Sequence, residues 1–264
     1  MRRALVAGLL VAVTTSLVGT WVVLRGMAFM GDALAHGVVP GLAAALLLGI
    51  HPVVGAFAAA AVMVGAIAAI HRATRLREDT AIGLLFVGML ALGVVVVSRS
   101  RSFAVDLVAI LFGDVLGVST GDVVASGVVA AATAVAVALL YRPLLVLSFN
   151  EEKAEVLSLH PRATHLALLV LVTLAIVSSF RTVGALLVFG LLIGPPATAS
   201  LLTRRVPAMM AVAAAVGAAS VVTGLVLGYH LDTAGGATMA LVAISSFFVV
   251  LALRALRRGV DAAG

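Results

Sequence analysis

Polar residues are scarce along this chain and fall in clusters. Between them lie apolar runs at roughly 4–24, 32–50, 52–70, 80–98, 121–140, 164–180, 183–202, 207–228 and 237–253. A straight helix needs about 20 apolar residues to cross a bilayer, and several runs fall slightly short. Continuous apolar runs point to helices, because barrel strands show only a weak alternation. The pattern predicts an all-α, polytopic membrane helix bundle of about eight or nine spans, some of them broken. No sizeable soluble domain fits between the runs, so residues 1–264 read as a single transmembrane domain.

Glycine and proline interrupt the runs at two separated places. One is Gly37 to Gly41, which includes Pro40. The other is Gly194-Pro195-Pro196-Ala197-Thr198-Ala199. Proline removes a backbone donor and clashes with the preceding turn, so both places are expected helix breaks. Breaks at membrane depth survive only where protein or a water-filled cavity satisfies the freed groups. Paired interruptions in separate halves point to a transport pathway; the plainer expectation is two kinks that serve packing. The region 99–120 combines Asp106 and Asp114 with apolar Leu107 to Leu111. A short interfacial or re-entrant helix fits it better than a span.

Composition sharpens this picture. The chain is 63% hydrophobic and 11% charged, with a mean hydropathy of +1.27. Soluble domains carry about 25% charged residues, so this is a multi-pass protein of the cell membrane. There is no cysteine, which excludes disulfides and thiolate ligands. The net charge of +6 comes largely from arginines between the runs. They read as topology signals rather than a nucleic-acid surface. Arg72, Arg75 and Arg77 mark one cytoplasmic segment, and Arg142, Lys153 and Arg162 a second. Arg204 with Arg205, and Arg254 with Arg257 and Arg258, mark two more. Nine alternating spans then place Arg2 and Arg3 outside, against the charge rule. Either one of the first two segments does not cross, or the N-terminus is an exception. The first run continues to Leu24, too long for a signal-peptide core, and reads as a retained span.

The chemistry sits in Gly31-Asp32-Ala33-Leu34-Ala35-His36-Gly37. On a helix Asp32 and His36 share a face, about 5–6 Å apart at Cβ. Carboxylate and imidazole suit Zn²⁺, Mn²⁺ or Fe²⁺ rather than Cu⁺. Two ligands make a weak site, which is what a permeating ion requires. A charged group at mid-bilayer costs at least about 2.5–3.5 kcal/mol, which disfavours a mere scaffold. Gly37 and Gly41 leave a bare strip for a neighbouring helix. His230 and Asp232, in Tyr229-His230-Leu231-Asp232, are possible further ligands or a solvated turn. His51 reads as a loop residue, and His71, His160 and His165 as interfacial.

Lys153 is the sole lysine, and no glycine-rich run precedes it. The nucleotide-cradling loop is therefore absent, and ATP hydrolysis, if used, resides in a partner. The chain reads as a transport permease, not an enzyme, with no permanently bound cofactor and Zn, Mn or Fe as cargo. Segment 148–162 reads as a short cytoplasmic helix that couples to such a partner. Ser148 or Asn150 caps it, and Glu151 and Glu152 suit its first turn. Phe149, Ala154 and Leu157 supply its apolar surface. The rival reading is a proton-coupled secondary transporter of a metal or small solute. Asp32 and His36 would then be the relay, since histidine titrates near neutral pH.

Four blocks together resemble the permease subunit of ABC-type zinc/manganese/iron importers. The first is Gly31-Asp32-Ala33-Leu34-Ala35-His36 followed by Pro40-Gly41. The second is Glu78-Asp79-Thr80-Ala81-Ile82-Gly83 with Ala91-Leu92-Gly93. The third runs from Val183-Gly184-Ala185-Leu186-Leu187-Val188 to Pro196-Ala197-Thr198-Ala199, and the last is Tyr229, Leu231-Asp232 and Gly236-Ala237-Thr238. The resemblance covers nearly the whole chain. It implies a second copy of the chain, two cytoplasmic ATPase subunits and an extracytoplasmic metal-binding protein. It also implies that Asp32 and His36 line the metal path and that Phe149 through Leu159 form the coupling helix. Asn150 stands where the family has an acid, Ser158 where it has glycine, and His230 where it has an aromatic.

Overall fold

The computed structural model describes residues 1–74, 78–98, 113, 115, 117–180, 183–184 and 188–261. Arg75, Arg77, Asp106, Asp114 and Leu107 to Leu111 lie outside the described residues, as does the side chain of Glu151. The described residues form twelve helices. In order they are α1 (Arg2–Leu24), α2 (Ala28–Gly37), α3 (Val39–Leu47), α4 (Pro52–Ala73), α5 (Glu78–Ser98) and α6 (Thr120–Leu139). There follow α7 (Tyr141–Phe149), α8 (Glu151–Val156), α9 (Pro161–Ser179), α10 (Val188–Leu202), α11 (Val206–His230) and α12 (Gly235–Asp261).

Each of the nine apolar runs contains helix among the described residues. Among the described residues, seven stretches are long and apolar enough to cross a membrane, α2 and α3 counting together as Ala28–Leu47. The shorter apolar helices Thr80–Val96 in α5 and Val188–Leu202 in α10 complete the set.

Helix α1 is the centre of the bundle, packed by α6, α9, α10 and α11. Its buried positions include Ala4, Ala7, Gly8, Ala12 and Gly19, small residues that admit close neighbours. Its buried threonine hydroxyls turn back on their own helix: Thr14 donates to the Leu10 carbonyl at 2.8 Å and Thr20 to that of Ser16 at 2.7 Å. These threonines are thereby satisfied where water is absent.

The contacts of α1 distinguish its two ends. Near its C-terminal end, Trp21 packs edge-on against Tyr141, with ring centroids 5.6 Å apart. Tyr141 adjoins the segment that Arg142, Lys153 and Arg162 mark as cytoplasmic. Near its start, Ala4 and Val11 pack with Val115, Val183 and Leu225, which belong to the opposite end. Thus the two ends of α1 pack at opposite ends of the bundle. A helix buried on so many sides is placed by packing more than by two flanking charges.

The two expected breaks differ. Between α2 and α3 the interruption is one residue, Val38, which keeps a right-handed helical conformation (φ −82°, ψ −15°). Its N–H still donates to the Leu34 carbonyl at 3.2 Å. At Pro195 and Pro196 there is no break, contrary to expectation: α10 runs through both. Each proline frees the carbonyl four residues earlier, at Leu191 and Leu192. The Leu192 carbonyl abuts Gly19 of α1, where a Cβ would overlap it. On the other flank Gly194 lies against the backbone of Ala243 in α12. Close neighbours on both sides hold the helical path that the prolines weaken.

Candidate functional site

Helix α2 turns Ala33, Leu34 and Ala35 into the core, each at most 1% exposed. That places Phe29, Asp32 and His36 together on its remaining face. The Asp32 side chain is 29% exposed and that of His36 19%, so the pair is neither sealed in the core nor on an open surface. His36 Nδ1 lies 3.0 Å from the Asp32 backbone carbonyl and 3.4 Å from Asp32 Oδ1. Its ring meets Phe86 of α5 edge-on, with centroids 5.2 Å apart. Phe86 in turn packs at 6.2 Å from Phe29, which closes one side of the pair with aromatic rings.

The geometry permits two states. With the proton on Nδ1, His36 donates to the Asp32 carbonyl and the pair is self-satisfied. With the proton on Nε2, Nδ1 and Oδ1 both present lone pairs. Their 3.4 Å separation is close to the edge of a tetrahedron whose ligands lie about 2.1 Å from a central cation. Two ligands leave the remaining positions to water or to another chain.

The strip predicted at Gly37 and Gly41 is used by α4. Gly37 faces Met63, and Gly41 faces Gly55 and Ala59. Beside it lies an apolar groove of about 390 Å³ between α3, α4 and α5, lined by Pro40, Gly41, Ala45, Gly55 and Leu92 among others. Its walls offer a cation no ligand.

His230 and Asp232 are not brought to this site. Both are exposed, in the turn that ends α11. Among the described residues, no three His, Cys, Asp or Glu side chains converge on a common point. Asp232 has a local role: its φ of 52° lets the chain curl back so that the Thr233 N–H reaches the Gly228 carbonyl at 3.0 Å. Aspartate tolerates this left-handed conformation better than most residues.

In the segment expected to couple, Asn150 caps α8 by accepting from the Lys153 N–H at 2.8 Å. Ser148 donates instead to the Leu144 carbonyl. Asparagine thus does the capping work of the acid it replaces. The apolar surface differs from the expected one. Ala154 points inward at 1% exposure, whereas Phe149, Val156 and Leu157 stand out at 72%, 84% and 59%. Val156 had no signal in the sequence, because a helix of six residues is too short to show a periodicity. Ser158 takes φ 56°, which explains why glycine suits this position. Ser158→Gly is expected to raise stability by about 1 kcal/mol through release of that strain. Thermal unfolding in detergent checks it, and an unchanged or lower midpoint would refute it.

Comparison with known proteins fits this geometry. Residues 1–254 match the ABC 3 transport family. The chain belongs to that family. The chain is similar to the manganese transport system membrane protein MntC of Listeria monocytogenes, 38% identical over 94% of this chain and 89% of its own length. A probable iron transport system membrane protein of Haemophilus influenzae is 36% identical, covering 97% of this chain and 94% of its own. Among solved structures, PsaBC from Streptococcus pneumoniae in complex with Fab superposes with a TM-score of 0.87. It is 33% identical, over 94% of this chain and 90% of that one. This ABC 3 family chain is accordingly a multi-pass membrane permease, and the proton-coupled alternative falls away.

Proposed function

We propose that this chain carries a divalent metal ion across the membrane past Asp32 and His36, with manganese or iron the favoured cargo. The carrying observation is the 3.4 Å Asp32–His36 contact, held on a partly open helix face beside the α2–α3 interruption. A carboxylate is costly against lipid, so a water-lined path or a second copy of the chain closes this face. Hard-to-borderline ligands match the metals named for the family relatives. No resident cofactor is required. An extracytoplasmic binding protein delivers the ion, and separate ATPase subunits supply the energy. Uptake of manganese into proteoliposomes, with ATP, partner ATPase and binding protein, tests this. Uptake that needs ATP supports it, and uptake that follows a proton gradient without ATP refutes it.

The ATPase docks on Phe149, Val156 and Leu157, exposed apolar side chains at the ends of α7 and α8, outside the spans. Val156→Glu places a charge on the most exposed of these side chains. It is expected to weaken ATPase binding by about 2 kcal/mol, some 30-fold. Pull-down of the ATPase by the purified permease measures this, and undiminished capture would count against α8 as the docking element.

A further inference from the structure

The contact between Arg25 and His165 joins two elements that the sequence keeps far apart. Arg25 Nη1 lies 2.9 Å from His165 Nδ1, across 140 residues. A guanidinium has only donors, so Nδ1 accepts and the ring proton sits on Nε2. Both residues are half-buried.

We propose that this pair is the positioning contact through which movement of α8 reaches the helix that bears Asp32 and His36. The inference rests on the functional reading above. From α8 the path runs through fixed hydrogen bonds. The Leu159 N–H donates to the Ala154 carbonyl at 3.0 Å, and Thr164 Oγ1 donates to the Leu159 carbonyl at 3.0 Å. His165 follows directly on α9. On the far side of the contact, the turn after α1 is rigid. The Arg25 N–H donates to the Trp21 carbonyl at 3.0 Å, and that of Met27 to Val22 at 2.9 Å. Gly26, at φ 65°, makes this tight reversal possible. Gly31 then donates to the Met27 carbonyl at 3.2 Å, which locks the first turns of α2 immediately before Asp32.

The chemistry of the pair suits a contact that must be remade. A guanidinium on a neutral nitrogen binds less strongly than a bidentate guanidinium on a carboxylate. A carboxylate at position 165 would hold the two elements together permanently. The neutral ring gives a contact between α9 and the α1–α2 turn that can break and re-form, as coupling requires.

The test uses the full assembly in proteoliposomes, with manganese as the probe, and reads uptake and ATP hydrolysis in parallel. Arg25→Ala and His165→Phe are each expected to lower uptake per ATP hydrolysed by about 10-fold. Hydrolysis and the KM for manganese stay within about twofold of wild type, since neither residue touches the ion or the nucleotide. The double variant falls no further than either single one. Arg25→Lys, which keeps a donor, and His165→Asn, which keeps an acceptor, recover most of the coupling. His165→Phe preserves the ring's packing, so the test stands even where alanine at position 25 impairs insertion. Wild-type coupling in His165→Phe, additive losses, or hydrolysis falling in step with uptake overturns the proposal. Wild-type chains that take up no manganese overturn the functional reading and this contact with it.

Discussion

Asp32→Ala and His36→Ala are each expected to reduce manganese uptake by about 100-fold or more, because a lost ligand of about 2.8 kcal/mol corresponds to that factor. The two side chains are the ionisable groups that α2 holds on one face, and they touch at 3.4 Å. Removing either leaves the other without its partner. Asp32→Asn is the sharper variant, since it preserves shape and hydrogen bonding while removing the charge. It is expected to fail as Asp32→Ala does. His36→Gln keeps a polar group of similar reach but weakens the ligand set, and falls between. Each variant is checked for membrane insertion by detergent extraction and size-exclusion elution. Normal uptake in Asp32→Asn, with the protein correctly inserted, would remove the carboxylate from the path.

The second large effect concerns how α2 and α3 are held. At the α3–α4 crossing Gly41 and Gly55 meet backbone to backbone, with Ala45 and Ala59 flanking them. A Cβ on Gly41 would overlap the Gly55 carbonyl and come within 2.6 Å of the Ala59 Cβ. In lipid no water-driven hydrophobic force holds two helices together, so close packing at such crossings carries much of the stability. Gly41→Val is expected to force the pair apart and cost about 3 kcal/mol, since overpacking against backbone cannot relax by a rotamer change. That corresponds to a fall in the unfolding midpoint on the order of 10 °C for a chain of this size. Gly65→Val on the same α4 is the control, because nothing lies within 4 Å of its Cβ position. Equal midpoints for the two variants would contradict the close crossing.

Most of the architecture was legible in the sequence because the bilayer imposes one length and one polarity on every span. Nine runs became nine apolar helical stretches for that reason. The Asp32–His36 pair was legible because a four-residue spacing fixes which side chains share a helix face. What failed was anything set by neighbours. Pro195 and Pro196 looked like a break, yet α10 continues through them between Gly19 of α1 and Ala243 of α12. Ala154 looked like docking surface, but α8 is too short for its pattern to say which side is buried. His165 read as interfacial and Arg25 carried no signal, and only the fold brings them together.

Electron spin-echo spectroscopy of Mn²⁺ bound to the purified permease tests the central claim most directly. Nitrogen modulation reports an imidazole on the metal. It is predicted in the wild-type protein, retained in His230→Gln and lost in His36→Gln. Modulation that survives in His36→Gln, or that disappears in His230→Gln, would contradict the account.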